Sequence, residues 1–76
     1  MDNLEKLTNV FAETFGIDAD KTKGLVYQGI DAWDSVGHMS LIAAIEDAFG
    51  ITMDTDDIID LSSFEKAQEI LAKYNV

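Results

Sequence analysis

The sequence D-S-V-G-H-M at residues 34–39, followed by an apolar-periodic run that ends at Phe49, decides how this chain folds. An acidic residue directly before such a run can cap a helix, so we predict a helix over 35–49 that Asp34 caps and Gly50 ends. Ser35 then lies at the first turn of that helix, within reach of another protein. Gly37 is a poor helix former, so it either permits close approach of a partner or is simply tolerated.

The predicted helix has two apolar sides. The inward stripe follows the three- and four-residue spacing of a core-facing helix. It consists of Leu41, Ile42, Ile45, Ala48 and Phe49. A second strip, formed by Val36, Met39 and Ala43, lies near Ser35 and is not needed by the core. Ser40, Glu46 and Asp47 border that strip with polar and acidic groups.

Other segments predict three further helices around this central one. Residues 3–15 are amphipathic, with Asp2 or Asn3 as N-cap and Gly16 as the end. A short helical turn is expected at 55–60 after Asp54 or Thr55, and a last helix at 63–74. We expect the following apolar residues around the short turn to pack inward: Ile58, Ile59 and Leu61. For the last helix, Ser62 and Glu65 have the spacing of a capping box with Ser62 as N-cap.

The remaining segment, residues 16–33, is a long connection broken by glycines and aspartates, and Trp33 is predicted to anchor its end on the core. Strand-like alternation does not compete with the helical patterns. The predicted fold class is therefore all-α: a small up-down bundle of three main helices plus one short helix, formed by a single domain over 1–76.

Charge and composition exclude several classes of function. Fifteen acidic residues face five lysines among 76 residues, a net charge of −10, so nucleic acid and anionic membranes are disfavoured partners and basic protein surfaces are favoured. There is no apolar run of about 20 residues that could insert in a membrane. Residues 1–5 lack the basic-then-apolar order of a secretory signal, so we expect a cytoplasmic protein. The sequence has no heptad pattern that would indicate a coiled coil, so we expect a monomer.

An enzyme or a metal site is not expected. His38 follows Ser35 by three residues, so a Ser–His pair is conceivable on a helix, but an orienting group, an oxyanion hole and a pocket are also required. We therefore expect His38 to be an exposed, partner-facing or inert residue and assign no catalytic residue. Residues 54–65 resemble a calcium loop at some positions, but Ile58 replaces an oxygen ligand and Ile59 replaces the turn glycine, so we assign no metal.

Three spaced elements carry a family resemblance: Asp34-Ser35-Val36, Ile45-Glu46 and Phe49-Gly50-Ile51, with Leu41 between them. In an acidic, all-helical chain of this length they resemble the acyl carrier protein family. The resemblance implies that Ser35, beside Asp34, receives a 4′-phosphopantetheine arm whose thiol carries an acyl or aminoacyl group as a thioester. The implied partner-facing residues are Val36, Met39, Ser40, Glu46 and Asp47.

The resemblance also implies partners and a type of pathway. The partners are a phosphopantetheinyl transferase, an acyl- or aminoacyl-activating ligase, and downstream acyltransferases or synthases. Val36 departs from the usual leucine, and the run over 37–39 is similar to carriers of specialised pathways that make a surface polymer or a secondary metabolite. The alternative is an acidic helical adaptor that binds basic proteins without a prosthetic group.

Overall fold

A computed structural model describes residues 2–74, and within that range the chain is a small bundle of helices without a β-strand. The four α-helices are α1 at Asn3–Phe15, α2 at Ser35–Phe49, α3 at Thr55–Asp60 and α4 at Phe64–Lys73, with a 3-10 turn at Ala19–Lys21. The predicted fold class is confirmed. Residues 1, 75 and 76 of the predicted domain lie outside the described residues. Over the described part of the chain, every helix is too short or too polar to cross a membrane.

The two long helices begin and end at the residues that their sequences indicate. Asp2 Oδ1 accepts the Glu5 N–H at 2.7 Å at the start of α1, and Asp34 Oδ1 accepts the Gly37 N–H at 2.8 Å at the start of α2. Gly16 and Gly50 follow the helices with left-handed backbone at φ 65° and 66°. These caps provide nearby partners for the free N–H and C=O groups at the helix ends, so they determine the residue at which α2 begins.

The last helix begins one residue later than predicted. Ser63, not Ser62, is the N-cap of α4, and its Oγ accepts the Lys66 N–H at 2.9 Å. Ser62 is held by the long connection, because its carbonyl accepts the Tyr27 N–H at 2.9 Å. Glu65 closes no capping box, since its Oε2 accepts the Gly24 N–H at 3.1 Å instead. The predicted capping box is therefore wrong, because pairing between distant segments displaces the local motif.

An aromatic cluster forms the centre of the core and fixes the end of the long connection. The Trp33 side chain is fully buried; it meets Phe11 edge-on at 5.5 Å between centroids and stacks on Phe15 at 5.3 Å. Phe64 of α4 meets Phe11 at 5.0 Å, so three segments share the cluster. The predicted role of Trp33 is confirmed, and its position next to Asp34 sets where α2 begins.

Helix α3 differs from the prediction in the side chain that it buries. Leu61 is buried and Ile58 is partly buried, but Ile59 is 73% exposed, so its predicted inward packing is wrong. The inward position belongs to Asp57, which is 3% exposed and bonded to the Lys73 ammonium and the Tyr74 hydroxyl of the chain's end. These hydrogen bonds, the one from Lys73 first, hold the Asp57 pKa below its ordinary value of 3.8.

Candidate functional site

Ser35 is the first residue of α2, and its side chain is exposed. Its Oγ lies 3.2 Å from the Tyr27 hydroxyl and makes no other side-chain hydrogen bond among residues 2–74. Asp34 directs its Oδ1 back into the helix to cap it. The hydroxyl therefore stands at the open end of a helix, where another protein can reach it.

Gly37 allows close approach by the chain's own long connection. A Cβ at this position would overlap the backbone carbonyl oxygen of Ala32, which no side-chain adjustment could relieve. Because that carbonyl belongs to the segment leading into Asp34, the glycine lets the connection turn tightly against the first turn of α2. Simple tolerance, one of the two explanations that the sequence left open, is therefore wrong. The close approach that Gly37 permits here is by the chain's own backbone, and approach of a partner stays a prediction.

His38 is partly buried rather than exposed, and both of its ring nitrogens are in use. The Trp33 indole N–H, which can only donate, donates to Nδ1 at 3.0 Å. Nδ1 must then be the accepting nitrogen, so Nε2 carries the hydrogen and donates to the Ile58 carbonyl at 2.8 Å. His38 therefore joins the long connection, α2 and α3, and it has no free lone pair with which to deprotonate Ser35. Of the three descriptions expected for His38, which were exposed, partner-facing or inert, the first is wrong.

The apolar strip beside Ser35 is exposed as predicted and is larger than predicted. Val36 is 76% exposed, Met39 is 55% exposed, and Ala43 is also exposed. Ile59 of α3 lines the same cavity as Met39 and extends the strip across the groove between the two helices. Sequence reasoning missed Ile59 because a six-residue helix is too short for its hydrophobic period to distinguish inside from outside.

The polar and acidic residues that border the strip differ in how exposed they are. Ser40 and Asp47 are exposed on α2. Glu46 is partly buried, and its Oε2 accepts the Met53 N–H at 2.9 Å, so this carboxylate also holds the segment after α2 in place. A partner approaching the strip therefore meets Ser40 and Asp47 more freely than Glu46.

A cavity of about 420 Å³ lies beside Ser35, between the long connection and helices α2 and α3. Its walls are mainly apolar. They consist of Tyr27, Ser35, His38, Met39, Ile58, Ile59, Leu61 and Ser62. Residues 2–74 contain no group of three or more His, Cys, Asp and Glu side chains arranged to hold a metal ion.

Comparison with known proteins agrees with this geometry. The sequence model of the family described as "Phosphopantetheine attachment site" matches residues 5–67. The acyl carrier protein of Lactobacillus johnsonii is 35% identical over 73 residues, which cover 93% of this chain and 90% of that protein. The chain belongs to the acyl carrier protein family. No solved structure matches it significantly.

An acyl carrier protein is a carrier and not a catalyst, and its prosthetic group is covalently attached 4′-phosphopantetheine. The site fits such a group, because an exposed hydroxyl stands at the start of a fifteen-residue helix whose first N–H groups and dipole favour a phosphate. When bound, the group supplies the thiol that this cysteine-free carrier lacks. The bundle leaves the Ser35 hydroxyl exposed at the start of α2.

Proposed function

We propose that Ser35 receives the 4′-phosphopantetheine arm and that this carrier holds acyl or aminoacyl groups as thioesters on it. The observation that carries the proposal is the exposed Ser35 hydroxyl at the first position of α2. Asp34 acts indirectly, since its cap determines the residue at which the helix opens. His38 takes no part in the chemistry, because its ring is bonded on both sides.

The docking surface in this proposal is the exposed strip of Val36 and Met39, extended by Ile59 and bordered by Ser40 and Asp47, with Glu46 at its edge. Exposed apolar side chains beside acidic ones suit a partner whose surface is apolar at the centre and basic around it. The partners are a phosphopantetheinyl transferase, an acyl- or aminoacyl-activating ligase, and downstream acyltransferases or synthases.

The pathway part of the proposal rests on residues 37–39. Gly37 and His38 serve internal contacts in this chain, so Met39 is the member of the run that faces partners. A carrier of a specialised pathway, for a surface polymer or a secondary metabolite, is the version that we propose. Purified candidate ligases, each supplied with its acid and ATP, would test it: the cognate ligase should load the arm of this carrier and fail on an unrelated carrier.

The attachment site is tested by incubating the protein with a phosphopantetheinyl transferase and coenzyme A, then measuring the intact mass. The wild type should gain one arm, Ser35→Ala should gain none, and Ser62→Ala should gain one arm. Ser62 is the matched control because it is an exposed serine outside the docking surface. Modification of Ser35→Ala, or an unmodified wild type with several transferases, would contradict the proposal.

The docking surface is tested separately by charge reversal. Asp47→Lys should raise the transferase KM for this carrier without changing its folding, because Asp47 is exposed. The control is Asp20→Lys in the 3-10 turn, which reverses another exposed acid outside the strip. Equal KM values for the two variants would remove the strip from the proposal. A simple adaptor would be favoured if basic partners bound the Ser35→Ala variant, which carries no arm, as tightly as they bind the loaded wild type.

A further inference from the structure

The Tyr27 hydroxyl is the side-chain group in contact with Ser35. It lies 3.2 Å from Ser35 Oγ, and either oxygen can donate the hydrogen. Tyr27 belongs to the long connection, eight residues before the serine, and its side chain remains partly solvent-exposed beside the cavity. An apolar ring would fill the same space, so packing alone does not explain the hydroxyl.

The backbone of Tyr27 is held against the start of α4. Its N–H donates to the Ser62 carbonyl at 2.9 Å, and its neighbour Val26 forms an antiparallel bridge with Ser63. The next residue, Gln28, has a left-handed backbone at φ 65° and donates its N–H to the Trp33 carbonyl at 3.0 Å. The connection is therefore fixed on both sides of Tyr27.

The Tyr27 ring is held from a second direction. It meets Trp33 edge-on at 6.2 Å between centroids and His38 edge-on at 5.5 Å. Those two rings are bonded to each other through the indole N–H and Nδ1. A phenol fixed at both backbone and ring loses little further freedom when its hydroxyl binds a partner, so its bond to Ser35 is preorganised.

We propose that Tyr27 is a positioning residue for the modification of Ser35, an inference that rests on the proposed function. With the Tyr27 hydroxyl donating to Oγ, the serine proton is left free for a base of the transferase. Oγ then forms a bond to the phosphorus next to the pantetheine of coenzyme A, and the pyrophosphate P–O bond breaks. The electron pair leaves with adenosine 3′,5′-bisphosphate, and the serine proton leaves with the transferase base.

The same contact persists in a changed form after the transfer. Esterified Oγ has no proton, so Tyr27 becomes the necessary donor, either to that oxygen or to a phosphate oxygen attached to it. Hydrogen bonds to an ionised phosphate are stronger than those between neutral hydroxyls. Tyr27 thus holds the phosphate end of the arm at Ser35, while the rest of the arm stays free to move.

The first test compares transferase kinetics on wild-type and Tyr27→Phe carriers. The bond from Tyr27 strengthens as the phosphate forms on Oγ, and losing that gain should lower kcat by a factor of about 2 to 12. The KM for the carrier should stay within about twofold, since the docking strip is unchanged. Tyr74→Phe is the matched control: it removes the other described tyrosine hydroxyl, which bonds Asp57 away from Ser35, and should leave kcat unchanged.

The second test needs no variant and stands even if Tyr27→Phe folds poorly. The wild type is labelled with 3-fluorotyrosine at its two tyrosines, and ¹⁹F spectra are recorded before and after loading with the arm. The Tyr27 signal should shift on loading and the Tyr74 signal should not. An unshifted Tyr27 signal, an unchanged kcat for Tyr27→Phe, or a raised KM at unchanged kcat would overturn the inference. A wild type that accepts no arm would instead overturn the proposed function.

Discussion

Replacing His38 by alanine tests whether this residue supports the fold or the chemistry. In the wild type, the His38 ring accepts the Trp33 indole N–H and donates to the Ile58 carbonyl, so it ties α3 to α2 and to the buried end of the long connection. His38→Ala removes both bonds at once. We expect the variant to be markedly less stable and still able to accept the arm where it is folded.

The expected loss of stability follows from the polar groups that lose their hydrogen-bond partners. Trp33 is fully buried, so its unpaired N–H costs about 1–3 kcal/mol, and the lost bond to the Ile58 carbonyl costs about 0.5–1.5 kcal/mol. Alanine's better helix propensity returns roughly 0.5 kcal/mol. The free energy of unfolding should therefore fall by about 2.5 kcal/mol, which corresponds to a decrease in Tm of roughly 10–20 °C in a domain of this size.

The assay is thermal and urea unfolding followed by far-UV circular dichroism and by the fluorescence of the single tryptophan. Met39→Ala is the matched control, because Met39 is the next residue, is exposed, and should change stability by less than about 0.5 kcal/mol. A decrease in Tm below about 4 °C for His38→Ala would refute the structural role. A loss of transferase rate well beyond that of Tyr27→Phe, in folded protein, would restore a chemical role to His38.

Three further outcomes are expected from the fold. Gly37→Ala should destabilise the protein by about 1–2 kcal/mol in urea unfolding, because overlap with the Ala32 carbonyl outweighs the gain in helix propensity; a more stable variant would contradict this. Ser63→Ala should cost about 1 kcal/mol in the same assay, whereas Ser62→Ala should change little; the reverse order would place the N-cap at Ser62. Asp57 has a lowered pKa in the folded state, so its stabilisation is complete above pH 3.8 and is lost as pH falls through the folded value. The urea midpoint of the wild type should therefore exceed that of Asp57→Asn at pH 7, and the difference should shrink in acid; a constant difference would exclude the ionised pair as its source.

Sequence alone determined the parts of this protein that depend on near neighbours. The bounds of α1 and α2 follow from apolar spacing and from caps such as Asp34 and Gly50, whose partners lie within about four residues. The exposed position of Ser35 follows from the same local rules. The family resemblance then connected that serine with a phosphate-linked arm.

Tertiary structure alone decided the groups whose partners are distant along the chain. His38 meets a carbonyl twenty residues away, Glu65 binds the N–H of Gly24, and Tyr27 reaches Ser35 across the turn of the long connection. Ile59 is exposed because Asp57 occupies the inward side of α3, where Lys73 and Tyr74 satisfy its charge. No periodicity encodes such pairs, since hydrogen bonds between segments depend on how the connections fold back and not on the spacing of residues along one helix.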